Sequence, residues 1–280
     1  MAESGSDSPN LDDSERERVA RAEPLRATGI HEIIRGEGQS ELERGAGALL
    51  WTGLAAGLSM GFSFTAQALL HSGLPDQPSR HLIASLGYTV GFVIVVLGRQ
   101  QLFTESTLTA VLPTLTRPNR DTALATLRLW GLVLAANIAG TWAFAGLLAW
   151  GHPFSPDVAA SLSQLAAEAV PSGFVATVTK GLIAGWLIAL MVWLLPSAGS
   201  ARLFVIMLLT YLVSLGRLPH IIAGSTEAAY AVLTGERGMG AYWVSFFLPT
   251  VIGNTIGGVG LVAMLNHAPI SEEVGGEGGD

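Results

Sequence analysis

Four long apolar segments constrain the fold of this chain more than any other feature. Each reaches or exceeds the roughly 20 residues that an α-helix needs to cross a lipid bilayer. They cover residues 45–70, 124–150, 173–196 and 241–266. Only 13% of the residues are charged and the mean hydropathy is +0.47, whereas soluble domains carry about 25% charged residues. The sequence therefore predicts an all-α integral membrane protein.

Two shorter apolar segments end at the same short motif. Residues 82–98 and 203–216 both close on Leu-Gly, and an arginine follows each of them, Arg99 and Arg217. A second apolar piece comes after each break, over residues 102–113 and 221–233. Broken helices are tolerated in a bilayer only where they line a cavity or are buried in protein. Counted as one span each, they predict six spans, with spans two and five broken around a solute pathway.

The two halves of the chain match beyond these breaks. Span one contains Thr-Gly-Leu-Ala-Ala-Gly-Leu from Thr52, and span four contains Lys-Gly-Leu-Ile-Ala-Gly-Trp from Lys180. Span three has Asn137 before Ile-Ala-Gly, and span six has Asn254 before Thr-Ile-Gly-Gly. Three spans per half is an odd number, so the second copy enters the membrane from the opposite face. The sequence predicts two inverted three-helix repeats.

Arginine positions predict the orientation and the domain limits. Residues 1–44 form a polar tail with six arginines, while residues 268–280 form a flexible acidic tail. The odd-numbered connections between spans carry only Arg80 and Arg237, so the positive-inside rule places both termini in the cytoplasm. The channel domain is expected over residues 45–267.

Charged residues beside the two breaks need an explanation, since each costs about 2.5 to 3.5 kcal/mol near the bilayer centre on insertion scales. One interpretation is that Arg99 and Arg217 attract an anion and orient it beside His220. The other is that the arginines pair with Glu105 and Glu227, which follow the two breaks. Both remain open from the sequence.

Four further polar residues are candidates for the pathway or its frame. His220 follows Pro219 at the second break, and an imidazole there can lend a proton to a weak-acid anion. Asn137 and Asn254 are expected to form interhelical hydrogen bonds that tie loop backbone to helix. Lys180, at the outer end of span four, either concentrates anions at the mouth or extends to the interface.

Several motifs together resemble the formate/nitrite transporter family. They are Gly-Arg-Gln-Gln-Leu-Phe-Thr over residues 98–104, the asparagine of span three, the Lys-Gly start of span four, the lone histidine of span five and Gly-Asn-x-x-Gly-Gly in span six. The resemblance implies an aquaporin-like fold, a homopentamer with one pore in each protomer, a bacterial inner-membrane location and passage of small monovalent anions such as formate or nitrite.

The same resemblance assigns roles to individual residues. His220 takes the place of the central pore histidine, and the span-two loop is formed by Leu102, Phe103 and Thr104. The apolar constriction corresponds to Tyr88, Phe92 and Val213. The chain has no cysteine, no His-Glu-x-x-His run and no phosphate-binding glycine loop. We therefore expect no enzyme activity, cofactor, metal or nucleic-acid partner.

Three positions depart from the family pattern and identify a divergent member. Gln101 replaces an acidic residue before Leu-Phe-Thr, while Gly185 and Gly224 replace asparagines that help line the pore. Two alternative functions follow from the changed charges and amides. One is a channel for a small neutral solute, and the other is a membrane scaffold or sensor whose pore is occluded.

Overall fold

The computed structural model describes residue 12 and residues 25–169 and 173–263. The acidic tail at 268–280 and most of the polar tail lie outside the described residues. Within the described ranges every regular element is helical, which confirms the all-α prediction. The α-helices are α1 (Ala27–Leu42), α2 (Ala46–Ser72), α3 (Ser79–Leu97), α4 (Phe103–Thr109), α5 (Val111–Thr116), α6 (Arg120–Gly151), α7 (Pro156–Ala169), α8 (Phe174–Leu194), α9 (Arg202–Leu215), α10 (Ala223–Leu233) and α11 (Leu248–Thr255).

Four of the described helices are long and apolar enough to cross a membrane: α2, α3, α6 and α8. Three of them coincide with long segments that the sequence predicted, and α3 extends the shorter segment at 82–98. The fourth predicted segment, 241–266, is not one uniform α-helix. Wider π-helical turns at Ala241–Phe247 and Ile256–Ala263 flank the short α11. Pro249, near the start of α11, lacks the N–H group that would continue the i to i−4 pattern.

Glycines allow two helix pairs to approach closely. A Cβ atom added to Gly57 of α2 would lie 2.1 Å from the backbone oxygen of Asn137 in α6. A Cβ atom added to Gly185 of α8 would lie 2.2 Å from the backbone oxygen of Asn254 in α11. Small residues serve this purpose in lipid, where apolar burial does not drive helix association. The two contacts therefore bring α2 as close to α6 in the first half of the chain as α8 is to α11 in the second half.

Two helices lie in regions that the sequence treats as connections or tail. The connection at 151–170 contains α7, whose buried residues Val158, Leu162 and Ala166 recur at four-residue spacing and pack against α2 and α10. The polar tail contains α1, whose buried Ile30 and Ile34 face the body of the protein. Both helices are amphipathic, so each buries one apolar stripe while exposing polar residues.

Both Leu-Gly-Arg motifs end a helix in the same way. Helix α3 ends at Leu97 and α9 ends at Leu215, and the next α-helix begins only at Phe103 and at Ala223. The arginines that follow have φ angles of 49° at Arg99 and 47° at Arg217. This left-handed conformation costs roughly 1 to 2 kcal/mol for an L-residue. The same unfavourable conformation therefore occurs at both motifs, where the chain turns sharply into a loop.

Candidate functional site

Asn137 holds the first loop through three buried hydrogen bonds. Its Oδ1 atom accepts from the backbone N–H of Phe103 at 2.9 Å. Its Nδ2 group donates to the backbone oxygens of Gln101 at 3.0 Å and Gly53 at 2.7 Å. The side chain thus satisfies loop backbone that has no helical partner, while also linking α6 to α2.

Asn254 holds the second loop with the same three bonds. Its Oδ1 atom accepts from the N–H of Ile221 at 2.8 Å, and its Nδ2 group donates to the backbone oxygens of Pro219 at 3.0 Å and Gly181 at 2.8 Å. Pro219 lies as far along the chain from Gln101 as Ile221 lies from Phe103. The two loops are therefore held by equivalent hydrogen bonds. We call the three bonds of Asn137 and the three bonds of Asn254 the asparagine clamps.

His220 and Thr104 join the two loops to each other. The Nε2 atom of His220 lies 2.8 Å from Oγ1 of Thr104, and both residues are buried. The Nδ1 atom accepts the backbone N–H of Ala223 at 3.2 Å. A neutral imidazole with Nδ1 as acceptor carries its proton on Nε2. His220 therefore donates to the Thr104 hydroxyl, whose own hydrogen remains available to another acceptor.

Apolar side chains surround this pair. Phe92 meets the His220 ring edge-to-face, with the ring centroids 5.0 Å apart, and Tyr88 lies 5.4 Å from Phe92 by the same measure. Leu102 and Val213 are fully buried, and Phe103 is 3% exposed. The predicted constriction residues Tyr88 and Phe92 are thus in contact with each other, and Phe92 is in contact with His220.

Two cavities open on different sides of these residues. The first, the His220 cavity, has a volume of about 390 Å³. The pathway candidates among its lining residues are Tyr88, Lys180, Val213, Arg217, His220 and Glu227. The second, the Gln101 cavity, has a volume of about 440 Å³ and is lined by Glu41, Arg44, Arg99, Gln101, Glu105 and Arg202, among others. The ionisable residues predicted for the pathway therefore divide between two cavities, whereas Leu102, Phe103 and Thr104 line neither of them.

The interpretation that each arginine pairs with the glutamate that follows it does not agree with the structure. Arg99 lies 3.8 Å from Glu37 of α1, and Arg217 lies 2.9 Å from Glu168 of α7. The left-handed turns leave both arginines largely exposed, where they meet α1 and α7 instead of α4 and α10. The other interpretation, that both arginines lie beside His220, agrees with the structure only for Arg217, because Arg99 lines the other cavity.

Glu105 and Glu227 face the cavities without a basic partner. Among the described residues, neither glutamate forms an ion pair, and the buried Oε1 atom of Glu105 has no hydrogen-bond partner.

Glu105 and Glu227 do not occupy equivalent positions in the two halves, since the match between the loops aligns Glu227 with Thr109. Thr109 instead donates to Oε2 of Glu41 at 2.6 Å. Burial raises the pKa of Glu41, although the hydrogen bond from Thr109 opposes this.

The three departures from the family pattern each have a structural counterpart. The Oε1 atom of Gln101 accepts from Arg44 at 2.9 Å, and its Nε2 group donates to Ser106 at 3.0 Å. A Cβ atom on Gly224 would lie 2.9 Å from the Phe246 ring, so that ring occupies the space of the missing amide. At Gly185 the space is taken by the close approach of Asn254.

Sequence reasoning did not identify Glu41, Arg44 or Phe246 as parts of this region. Glu41 and Arg44 lie in the polar tail, where charge is common and uninformative. Phe246 lies in an apolar segment where any aromatic residue fits the pattern. A possible signal was the loss of two amides from the pore, because a vacated volume must be filled by another side chain or by backbone.

Comparison with known proteins agrees with this geometry. The family model described as formate/nitrite transporter matches residues 28–268. Inner membrane protein YfdC of Escherichia coli strain K12 is 41% identical, over 96% of this chain and 89% of the relative. Both figures cover nearly the whole of each protein, so the likeness is not confined to one motif.

Two solved structures share the fold at low sequence identity. A pentameric formate channel with formate bound is 18% identical, with a TM-score of 0.68, over 80% of this chain and 97% of that chain. An FNT family ion channel is also 18% identical, with a TM-score of 0.70, over 87% and 96%. Both structures are of channels and not of enzymes. The family match confirms the predicted resemblance: the chain belongs to the formate/nitrite transporter family.

Proposed function

We propose that this protein is a transmembrane channel or transporter for a small monovalent weak-acid anion, such as formate or nitrite. The observation that carries the proposal is the buried His220–Thr104 pair, enclosed by apolar side chains and reached from the His220 cavity. Formate is bound in one structure with the same fold. An anion that meets an apolar barrier beside a hydrogen-bond donor crosses it more readily as the neutral acid.

The anion meets three groups of residues in turn as it moves from the His220 cavity to the constriction. Lys180 lines the His220 cavity and raises the local concentration of anions there, while Arg217 in the same cavity is paired with Glu168. Next to the constriction, the free hydroxyl hydrogen of Thr104 is available to a solute oxygen while His220 polarises that hydroxyl. His220 takes part in transferring a proton to the anion, and the neutral acid then passes the rings of Phe92 and Tyr88.

We also infer the finer architecture from the matched loops. Helices α3 and α4 form one broken span and α9 and α10 another, so that six spans make two inverted three-helix repeats. The identical asparagine clamps and the paired left-handed arginines support this arrangement. We further propose a homopentamer in a bacterial inner membrane with both termini cytoplasmic. The inner-membrane relative, the pentameric structure and the arginine distribution support these three points.

Two observations favour the proposal over its two alternatives. An occluded scaffold requires the arginines and the two following glutamates to fill the pathway, yet the arginines bind Glu37 and Glu168 instead. A neutral-solute channel requires an electrically quiet pore, whereas Glu105 and Glu227 lack basic partners among the described residues. We therefore favour a pathway that handles charge and protons.

Transport by the purified protein in liposomes tests the proposal. Uptake of formate and nitrite is measured at pH values from about 5 to 8, and swelling in urea and glycerol tests neutral solutes. We expect weak-acid anion uptake that rises as the pH falls, and His220→Ala should change that pH dependence. His152→Asn is the matched control, since His152 is exposed at the end of α6. Swelling in neutral solutes without anion uptake would overturn the proposal.

A further inference from the structure

Each cavity contains a glutamate close to the two joined loops in sequence that the proposed chemistry leaves unused. Glu227 lines the His220 cavity, and Glu105 lines the Gln101 cavity. His220 in the loop, and Gly224 and Glu227 three residues apart in α10, all line this cavity. Gln101 in the other loop, and Glu105 and Thr109 four residues apart in α4, line the other cavity. Each carboxyl group thus lies in a cavity that a residue of one of the two joined loops also lines.

His220 is poorly suited to supply a net proton by itself. Its Nδ1 atom accepts the Ala223 N–H, and the single proton of the neutral ring is shared with Thr104. After His220 has contributed a proton to a solute, the ring must be reprotonated from the cavity. Among the described lining residues of the His220 cavity, Glu227 and Glu168 are the carboxylic acids, and Glu168 is bound to Arg217.

We propose that Glu227 and Glu105 are the proton-exchanging groups of the two cavities. In this scheme, which rests on the proposed function, a protonated glutamate in one cavity gives its O–H proton, through His220 and Thr104, to the oxygen of the entering anion. The neutral acid crosses the constriction and gives that proton to the carboxylate in the other cavity. Water on each side then restores both glutamates, so one proton accompanies each anion.

The same groups would discriminate between anions. Formate and nitrite accept a proton, whereas nitrate and chloride do not at the pH values of a cell. A strong-acid anion therefore reaches the ionised glutamate of the second cavity still as an ion, whereas formate arrives there as the neutral acid. Two like charges repel by several kcal/mol in a medium of intermediate dielectric constant, and this repulsion opposes passage. The substrate class that follows is weak-acid monovalent anions.

The other ionisable residues of each cavity leave Glu227 and Glu105 free to exchange protons. The ionisable residues that line the His220 cavity with Glu227 are His81, Tyr88, Glu168, Lys180, Arg217 and His220. Lys180 is exposed, and Arg217 is bound to Glu168. Those that line the Gln101 cavity with Glu105 are Glu37, Glu41, Arg44, Arg99 and Arg202. There, Arg99 binds Glu37, Arg44 binds Gln101, and Arg202 donates to the backbone oxygen of Leu195.

Liposomes loaded with a fluorescent pH indicator test the inference on the full-length protein. Formate, nitrite, nitrate and chloride gradients are imposed in turn, while anion uptake and internal acidification are recorded together. The variants are Glu227→Gln and Glu105→Gln, and Glu236→Gln is the control because Glu236 is exposed outside both cavities. Glu227→Asp keeps the carboxyl group and should retain the wild-type behaviour.

We expect the wild type to carry one proton with each formate and to favour formate over chloride. In Glu227→Gln and Glu105→Gln the ratio of chloride to formate uptake should rise about tenfold, which corresponds to roughly 1.4 kcal/mol. Loss of the proton donor slows formate, and loss of the ionised glutamate removes the repulsion of chloride. Glu236→Gln should not change the ratio. If either cavity variant fails to fold, the wild-type measurements decide. The inference is overturned if the wild type takes up chloride as fast as formate. It is also overturned if formate uptake causes no acidification.

The outcomes also separate this inference from the proposed function. Coupled formate uptake with an unchanged anion ratio in both glutamine variants leaves the channel function intact and refutes the role of the glutamates. An absence of uptake for every weak-acid anion refutes both.

Discussion

Removal of one asparagine clamp should destabilise the protein by a predictable amount. Asn137→Ala deletes three buried hydrogen bonds, to Phe103, Gln101 and Gly53. Interhelical side-chain bonds in membrane proteins average about 0.6 kcal/mol each, while a buried donor left without a partner costs about 1 to 3 kcal/mol. The Phe103 N–H becomes such a donor. We therefore expect a loss of about 3 kcal/mol in the free energy of unfolding.

The matched loops give this prediction an internal test. Asn254→Ala deletes the same three bonds in the second half of the chain, so the two variants should lose similar amounts of stability. Asn119→Ala is the control, because Asn119 is exposed at the start of α6, where it accepts from the backbone N–H of Thr122. Loss of a helix cap costs about 1 kcal/mol.

Reversible unfolding in mixed detergent micelles, followed by tryptophan fluorescence, measures the three variants. The reasoning is refuted if Asn137→Ala costs no more than Asn119→Ala. A loss in one clamp variant without a comparable loss in the other would show that the two loops are not held in the same way.

Three further predictions concern packing, pH dependence and the pore. Gly185→Ala should lower the melting temperature by the equivalent of about 1 to 3 kcal/mol of overpacking, whereas Gly131→Ala, with nothing within 4 Å, should not; equal melting temperatures would contradict the close helix contact. Because burial raises the pKa of Glu41, the folded state binds the Glu41 proton more tightly than the unfolded state. The contribution of Glu41 to stability is therefore largest below the ordinary pKa of 4.5 and declines as the pH rises through the raised pKa. Glu41→Gln should flatten that decline in a melting-temperature profile, the exposed Glu43→Gln should preserve it, and identical profiles would refute the assignment. Thr104→Val should lower formate flux by about tenfold, because a hydrogen bond contributes up to about 1.5 kcal/mol and about 1.4 kcal/mol is a tenfold change in rate. Thr104→Ser should retain the flux, and equal flux in both variants would remove the hydroxyl from the mechanism.

The sequence predicted the parts of this fold that depend on long, repeated patterns. Apolar length identified α2, α6 and α8, because the thickness of the bilayer sets a minimum that few other structures share. The paired Leu-Gly-Arg motifs located the ends of α3 and α9, since the same residues recur in both halves. Asn137 and Asn254 were identifiable because a lone amide in an apolar segment needs hydrogen-bond partners.

The sequence could not predict which charges meet across the fold. Arg99 and Arg217 lie close in sequence to Glu105 and Glu227, but the left-handed turn at each arginine directs it to a different helix. Their partners, Glu37 and Glu168, belong to α1 and α7, whose positions depend on tertiary packing. A backbone turn of one residue thus decides the pairing, and no local pattern in the sequence records it.

The two missing amides and the unpaired glutamates have one common consequence. At the position four residues after His220, Gly224 and the Phe246 ring replace a polar group with an apolar wall. Three residues further along the chain, Glu227 restores polarity, but with a carboxyl group, which can gain and lose a proton, in place of an amide, which cannot. An amide stabilises any anion equally, whereas a carboxyl group favours an anion that can accept its proton. On the proposed role of Glu227, the substitutions shift the lining from general anion binding toward proton-dependent selection. We therefore propose that the divergence of this chain from its family is a change in the chemistry of the pore wall.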